Sequence, residues 1–283
     1  VLSLNADFPA AEAQAAVAEM SGAVHGATSC LGSMTETGHQ TDGPAGASLF
    51  VISDPEGDYG TGRAAFSGDS DAAARDGARA ATLAALEAAG REGEAPDAVW
   101  VSATPGQEEA ALAGIEDVVG AGTPIIGGSA ADNAVAGDWY VFDQSGMTQT
   151  GIVVSVLFPS TPVAFAYHNG YTPNGHSGRV TKTDGRRVIE IDNRPAREVY
   201  DEWTLGKVDG ASGRDASNIL AASTLHPLGR ELGEVQGVPY YLLAHPAGAE
   251  PDGSLALFAD VEEGETLTQM HGSATELAAR AGR

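Results

Sequence analysis

Pro124-Ile125-Ile126-Gly127-Gly128-Ser129-Ala130-Ala131-Asp132-Asn133 reads as a short apolar strand that runs into a glycine corner. It closes a strand–helix–strand unit. Residues 98–103 (AVWVSA) form the opening strand. Thr104-Pro105-Gly106-Gln107 has the layout of a capping box with proline at the first helical position. A helix is therefore expected over 105–119, with Leu112, Ile115 and Val119 on its apolar face at spacings of three and four. Gly120 and Gly122 end it.

A fainter copy stands at the front of the chain. Residues 1–5 read as a strand, Asp7 as the cap of a helix over 10–20 with Pro9 in its first turn, and 24–30 as a second strand. Residues 47–53 (ASLFVIS) read as a third, buried strand, and 151–158 (GIVVSVLF) as its counterpart in the second copy. Val1 then aligns with Val99, Gly26 with Gly127, and Gly46 with Gly151. Between the copies, 54–68 is rich in Gly and Asp and reads as a loop. Ser70 or Asp71 then caps a helix over 72–89 whose stripe includes Ala78, Leu83 and Leu86.

After Pro159 the pattern changes. Residues 163–167 read as a strand, and 169–178 as a turn-rich loop. Asp184-Gly185 marks a hairpin within 179–192, and Asn193 caps a helix over 195–205. Residues 207–214 read as flexible, and strands follow at 240–244, 255–259 and 266–270. A last helix, 273–283, has no strand after it, and the chain starts without Met, so both ends are expected to continue. The fold class is α/β: duplicated strand–helix–strand units in a mixed sheet (1–192), followed by a smaller α+β module (193–283).

The formal net charge of −24 repels a phosphate backbone and argues against nucleic acid as a partner. No apolar run approaches the roughly 18 residues of a membrane span. Cys30 is the one cysteine, so an intrachain disulfide and multi-cysteine zinc are excluded, and a reducing cytoplasm fits. Cys30 and His25 stand five apart on one strand and so point to opposite faces, which leaves Cys30 as a buried structural thiol.

Several stretches resemble the FIST sensory family: Ser102-Ala103-Thr104-Pro105-Gly106, the strand into Gly127-Gly128-Ser129-Ala130-Ala131-Asp132-Asn133, and Ile191-Asp192-Asn193-Arg194-Pro195-Ala196. His226-Pro227-Leu228-Gly229, Asp252-Gly253-Ser254-Leu255 and Glu263-Gly264-Glu265 extend the likeness over nearly the whole chain. The resemblance implies a cytoplasmic module that binds a small ligand such as an amino acid. It also implies coupling to a histidine kinase or a cyclic-dinucleotide signalling enzyme. One branch of the family resembles haem-based nitric-oxide sensors. The chain departs from the pattern at its end, where the later part of the C-terminal module, with a Cys before an Arg, is absent.

Gly127-Gly128-Ser129 can present backbone N–H groups to a carboxylate or phosphate, and in open α/β sheets ligands favour the carboxyl ends of strands. Thr28 and Ser29 hold the matching place in the first copy. The candidate ligand-binding set is Thr28, Ser29, Thr104, Gly127, Gly128, Ser129 and Asn133, facing a pocket between the copies. The corner lacks the spacing of a dinucleotide fingerprint, the Lys of a P-loop and the G-x-S-x-G of a nucleophile elbow. No catalytic set emerges, and a hydrolase or transferase stays an alternative to the sensor. None of the seven histidines forms a helical metal pair at i, i+4; His168 and His176, beside the Gly/Asn/Pro loop, are the candidate axial ligands should haem be the cofactor.

Overall fold

The computed structural model describes residues 1–20, 22–35, 38–40, 46–164, 169–207, 218–235 and 238–279. The chain divides into two compact units, Val1–Ala164 and Phe165–Arg283.

In the first unit, β1 (Leu2–Asn5), α1 (Ala10–Ala18) and β2 (Gly26–Ser29) make a parallel pair with a helical crossover. A small hairpin, β3 (Ser33–Thr35) and β4 (Gly38–Gln40), leads to β5 (Ala47–Leu49), which returns antiparallel to β1. Then come β6 (Asp58–Ala65), α2 (Asp71–Ala89), β7 (Ala98–Ala103), α3 (Glu108–Val119) and β8 (Ile125–Ser129). The hairpin β9 (Val141–Asp143) and β10 (Gly146–Thr148) precedes β11 (Gly151–Phe158).

Apart from the β3–β4 hairpin, these strands form two sheets rather than the single one expected. One runs β10-β9-β2-β1-β5 and the other β6-β11-β7-β8. Each has a first strand flanked by a parallel partner on one side and an antiparallel one on the other: β1 between β2 and β5, β7 between β8 and β11. The amide of Asn5 donates to the Gly46 carbonyl as that of Thr104 does to Gly151.

Alternation along β7 and β11 decides the layering. Val99, Val101, Ala103, Ile152, Val154 and Val156 pack against α2 and α3 in the largest core of the unit. The opposite face turns to the other sheet, where Val153 packs with Val141, Ala130 and Ala27. On the far side of that other sheet, α1 covers Leu4, Val24, Tyr140 and Phe142 with Ala13 and Val17. The unit is thus four layers, helix, sheet, sheet, helix.

The stretch that reads as a loop contains β6. Its glycines weaken the strand signal, yet they are what the packing needs: a Cβ on Gly60 would sit 2.0 Å from the Ala85 carbonyl oxygen, and one on Gly62 2.2 Å from that of Ala81. The backbone of α2 lies directly on β6. Gly62→Ala should therefore lift α2 from the sheet and lower stability by about 2 kcal/mol or more. Hydrogen exchange along α2 tests this; protection equal to wild type would show that the helix does not rest there.

Helix starts also differ from expectation. Pro9 occupies the N-cap of α1 without a side-chain cap, and Asp7 donates its amide to Asn5 Oδ1 instead. α3 starts at Glu108 after Gln107 because the Thr104 hydroxyl is engaged by Gly151. Ser70 caps α2 by accepting from the Ala73 amide, as expected, while Leu83 is exposed.

The second unit is built on one eight-stranded sheet. β12 (Thr172–Asp184) and β13 (Arg187–Ile191) form the expected hairpin, and β12 extends through residues that read as a turn-rich loop, with a register shift between Pro173 and Ser177. β14 (Arg194–Pro195) and α4 (Ala196–Trp203) follow, with Pro195 rather than Asn193 at the helix N-cap. Then come α5 (Leu220–Ser223), β15 (Leu228–Val235), β16 (Val238–Ala244), β17 (Pro246–Ala249), β18 (Leu255–Leu257), β19 (Thr266–His271) and α6 (Ala274–Ala279). The main order is β16-β15-β19-β12-β13-β18-β17, with β14 against β13. Tyr200 and Val199 of α4 pack into a core with Ile191, Leu228, Leu255 and Leu267. Most of the expected strand at 163–167 and most of the expected flexible stretch at 207–214 lie outside the described residues.

Candidate functional site

The two glycine corners come together, but their polar groups serve the fold. The Thr28 hydroxyl donates to the Tyr140 carbonyl and accepts from its amide. Thr104 does the same with Gly151. Ser29 donates to the Gly32 carbonyl at 2.8 Å, and Ser129 to Glu108 Oε1 at 2.8 Å. Asn133 bridges the two corners, accepting from the Leu31 amide and donating to Asn5 Oδ1. Gly127, at φ +150, lets β8 lie on β7: a Cβ there would be 1.8 Å from the Val101 carbonyl oxygen. Gly127, Gly128 and Ser129 are exposed on an edge strand. Cys30, just past β2, is exposed, not buried. The strand ends before it, so alternation no longer sets its direction.

A cavity of about 460 Å3 opens elsewhere, between the two sheets. It lies toward the start of β6 and the end of β11, and Val24 and His25, just before β2, also line it. Cross-strand pairing puts Thr61 and Trp100 on either side of Ser155. From the facing sheet His25, 2% exposed, reaches into this row. Its Nδ1 is 2.9 Å from Ser155 Oγ and its Nε2 2.9 Å from Ser102 Oγ, while Thr61 Oγ1 is 2.7 Å from Ser155 Oγ. Burial pushes the His25 pKa down to about 3, so the ring is neutral, one nitrogen donating and the other accepting.

The rim is apolar. Phe50 stacks on Trp100 with ring centroids 6.2 Å apart and 22° between planes. Leu49, Phe50, Val51 and Ile52, part of the stretch that reads as a buried strand, are exposed; β5 ends at Leu49 and the rest borders the opening. Tyr59 completes the wall. Burial and the neighbouring Asp54 carboxylate raise its pKa to about 12, so its hydroxyl stays protonated and donates to Asp54 Oδ2. Asp54 also accepts from the side chain and amide of Ser160, and these bonds, with that from Tyr59, hold its pKa down at about 2.

Sequence reasoning made none of Thr61, Ser102 or Ser155 a candidate site residue. A signal was present: Ser155 and Ser102 are lone hydroxyls at inward positions of otherwise apolar strands, GIVVSVLF and AVWVSA. What they face could not be read.

The residues around His176 do not fit a haem. An axial ligand must point into an apolar cleft that covers the macrocycle. His176 is exposed on β12, in a run of exposed residues from Thr172 to Ser177, and stacks on Trp203 at 6.4 Å with 10° between planes. His168 lies outside the described residues. Among the described residues no three His, Cys, Asp or Glu side chains gather as a metal would need, and no helix is long and apolar enough to cross a membrane.

Two stacked mixed sheets between helices, followed by an antiparallel unit, define a mixed α/β protein. The FIST N domain matches residues 2–194 and the FIST C domain residues 196–283. The chain belongs to the FIST family, whose domains are generally sensory domains in signal transduction. An uncharacterized protein of Methanocaldococcus jannaschii is 33% identical over 77 residues, which is 27% of this chain and 15% of that protein.

Proposed function

We propose that this chain is a sensory domain whose stimulus is a small molecule of amino-acid size, bound between the two sheets of the first unit. One observation carries the reading: a cavity of about 460 Å3 with an apolar rim and a floor of neutral hydrogen-bonding groups, His25, Ser155 and Thr61. Ligand sites characteristically combine an apolar wall with a few convergent polar groups in this size range. A ligand there touches both sheets at once, so its binding energy acts on their spacing, and states with a different spacing are favoured or disfavoured accordingly. A histidine kinase or a cyclic-dinucleotide enzyme is the partner that would receive the signal, and the domain binds without turnover.

A thermal-shift screen of small metabolites tests the proposal. A ligand at 100 times its Kd should stabilise the protein by about 2.7 kcal/mol. That stabilisation should fall at least tenfold in apparent affinity in Ser155→Ala and Phe50→Ala and be unchanged in Ser29→Ala and Ser129→Ala. The opposite pattern would move the site to the glycine corners and sink the cavity reading.

A further inference from the structure

We infer that the cavity selects an uncharged molecule with a flat aromatic ring and one hydrogen-bonding group. This rests on the reading of the cavity as the ligand site, and the argument is from charge, shape and polar match.

Charge comes first. No Lys or Arg side chain is among the described residues that line the cavity, and the Val1 nitrogen at its edge donates to the Phe50 carbonyl. Its acidic side chain, Asp58, is already paired with Arg91 at 2.7 Å, and Arg91 also lies over the Phe158 ring, 5.3 Å from its centroid. A carboxylate ligand would leave water for a site with no cationic side chain to pair with and a resident carboxylate beside it. A cationic ligand would have to compete with Arg91. Burying an unpaired charge is far costlier than burying a neutral polar group.

Shape comes second. Phe50 and Trp100 form a nearly parallel aromatic pair at the mouth, one ring from each sheet's side of the cavity. A flat ring between them needs about 7 Å, two contact distances of about 3.5 Å. With centroids 6.2 Å apart the two rings are an offset-stacked pair, and the slot between them is closed. Phe50 is 56% exposed and beyond the end of β5, so an outward rotation of its side chain opens the slot. Trp100 is held in β7 between β8 and β11 and supplies the fixed wall.

Polar match comes third. The Thr61 hydroxyl makes one hydrogen bond, to Ser155, of the three a hydroxyl can form. Each member of the row Thr61, Ser155, His25 and Ser102 can exchange donor and acceptor roles, since a hydroxyl rotates and a neutral imidazole has two tautomers. The row therefore accommodates either an amide or a hydroxyl on the ring without leaving an unpaired buried group.

Calorimetry with three matched probes tests the inference: benzamide, benzoate and cyclohexanecarboxamide, each against wild type, Phe50→Ala and Thr61→Val. Benzamide should bind at least tenfold tighter than benzoate, which differs in charge at equal size, and several-fold tighter than cyclohexanecarboxamide, which lacks the flat ring. Phe50→Ala should remove the preference for the aromatic ring, and Thr61→Val should weaken benzamide several-fold. Benzoate binding as tightly as benzamide, with loss in Phe50→Ala, overturns the ligand class and leaves the cavity reading standing. Binding of all three probes that neither variant changes, or no binding at all with no change in Trp100 fluorescence, overturns both.

Discussion

Between pH 7 and pH 4 the first unit should lose about 3 kcal/mol of stability through His25 alone. The ring is buried between the sheets, and burial is the main cause of the fall of its pKa from the ordinary 6.5 to about 3. In the unfolded chain the same ring takes up a proton near pH 6.5. Between those values the unfolded state binds more protons than the folded one, so stability rises with pH in this window and falls on acidification. The contribution is complete above pH 6.5 and is lost at about 1.4 kcal/mol per pH unit below it, which over roughly 2.5 units gives about 3 kcal/mol. His25→Gln removes the titration. Hydrogen exchange of the β2, β7 and β11 amides at the two pH values, in wild type and variant, measures the difference in the first unit separately from the second. Equal acid sensitivity in both proteins would show that His25 does not stay neutral in the fold.

Asp132→Ala should cost more than about 3 kcal/mol, because hydrogen bonds to a charged group contribute about 1.5–3 kcal/mol each and four donors lose their acceptor together. The Asp132 carboxylate, 5% exposed, accepts from the amides of Ala134, Ala136, Gly137 and Asp138. It thereby shapes the turn that carries the chain from the glycine corner, through Tyr140, into β9. At about 2–4 °C per kcal/mol for a unit of this size, the melting temperature of the first unit should drop by roughly 6–12 °C. Burial by itself raises this carboxyl pKa; the four amides outweigh it and hold the group below the ordinary carboxylate range. The stabilisation is therefore present above about pH 3.9 and is lost as pH falls through the lower folded value, a window more acidic than most of that of His25. A calorimetric scan of the variant within 2 °C of wild type would show that water replaces the carboxylate without cost.

Much of the frame was legible because it depends on short-range pattern. The apolar runs 98–103 and 151–158 predicted β7 and β11, Ser70 capped α2 as its side chain suggests, and Asp184-Gly185 turned the hairpin of the second unit. Readings failed where a residue answers to a distant neighbour. Gly60 and Gly62 look like loop glycines until α2 is laid on them. Leu49 to Ile52 look like core, yet the strand ends at Leu49 and the apolar run becomes a rim. Thr28 and Thr104 look like ligand hydroxyls, and each holds the backbone of a neighbouring segment instead.

By itself the sequence determined the strand–helix–strand units, their glycine corners, the family and the absence of a disulfide, since each follows from local propensity, residue spacing or residue identity. Only the tertiary structure decided that the strands divide into two sheets laid face to face. That stacking brings His25 to Ser102 and Ser155, residues 77 and 130 positions away along the chain. A lone hydroxyl on an apolar strand is visible in the sequence, but its meaning comes from the partner across the gap, which only the packing of one sheet on the other supplies.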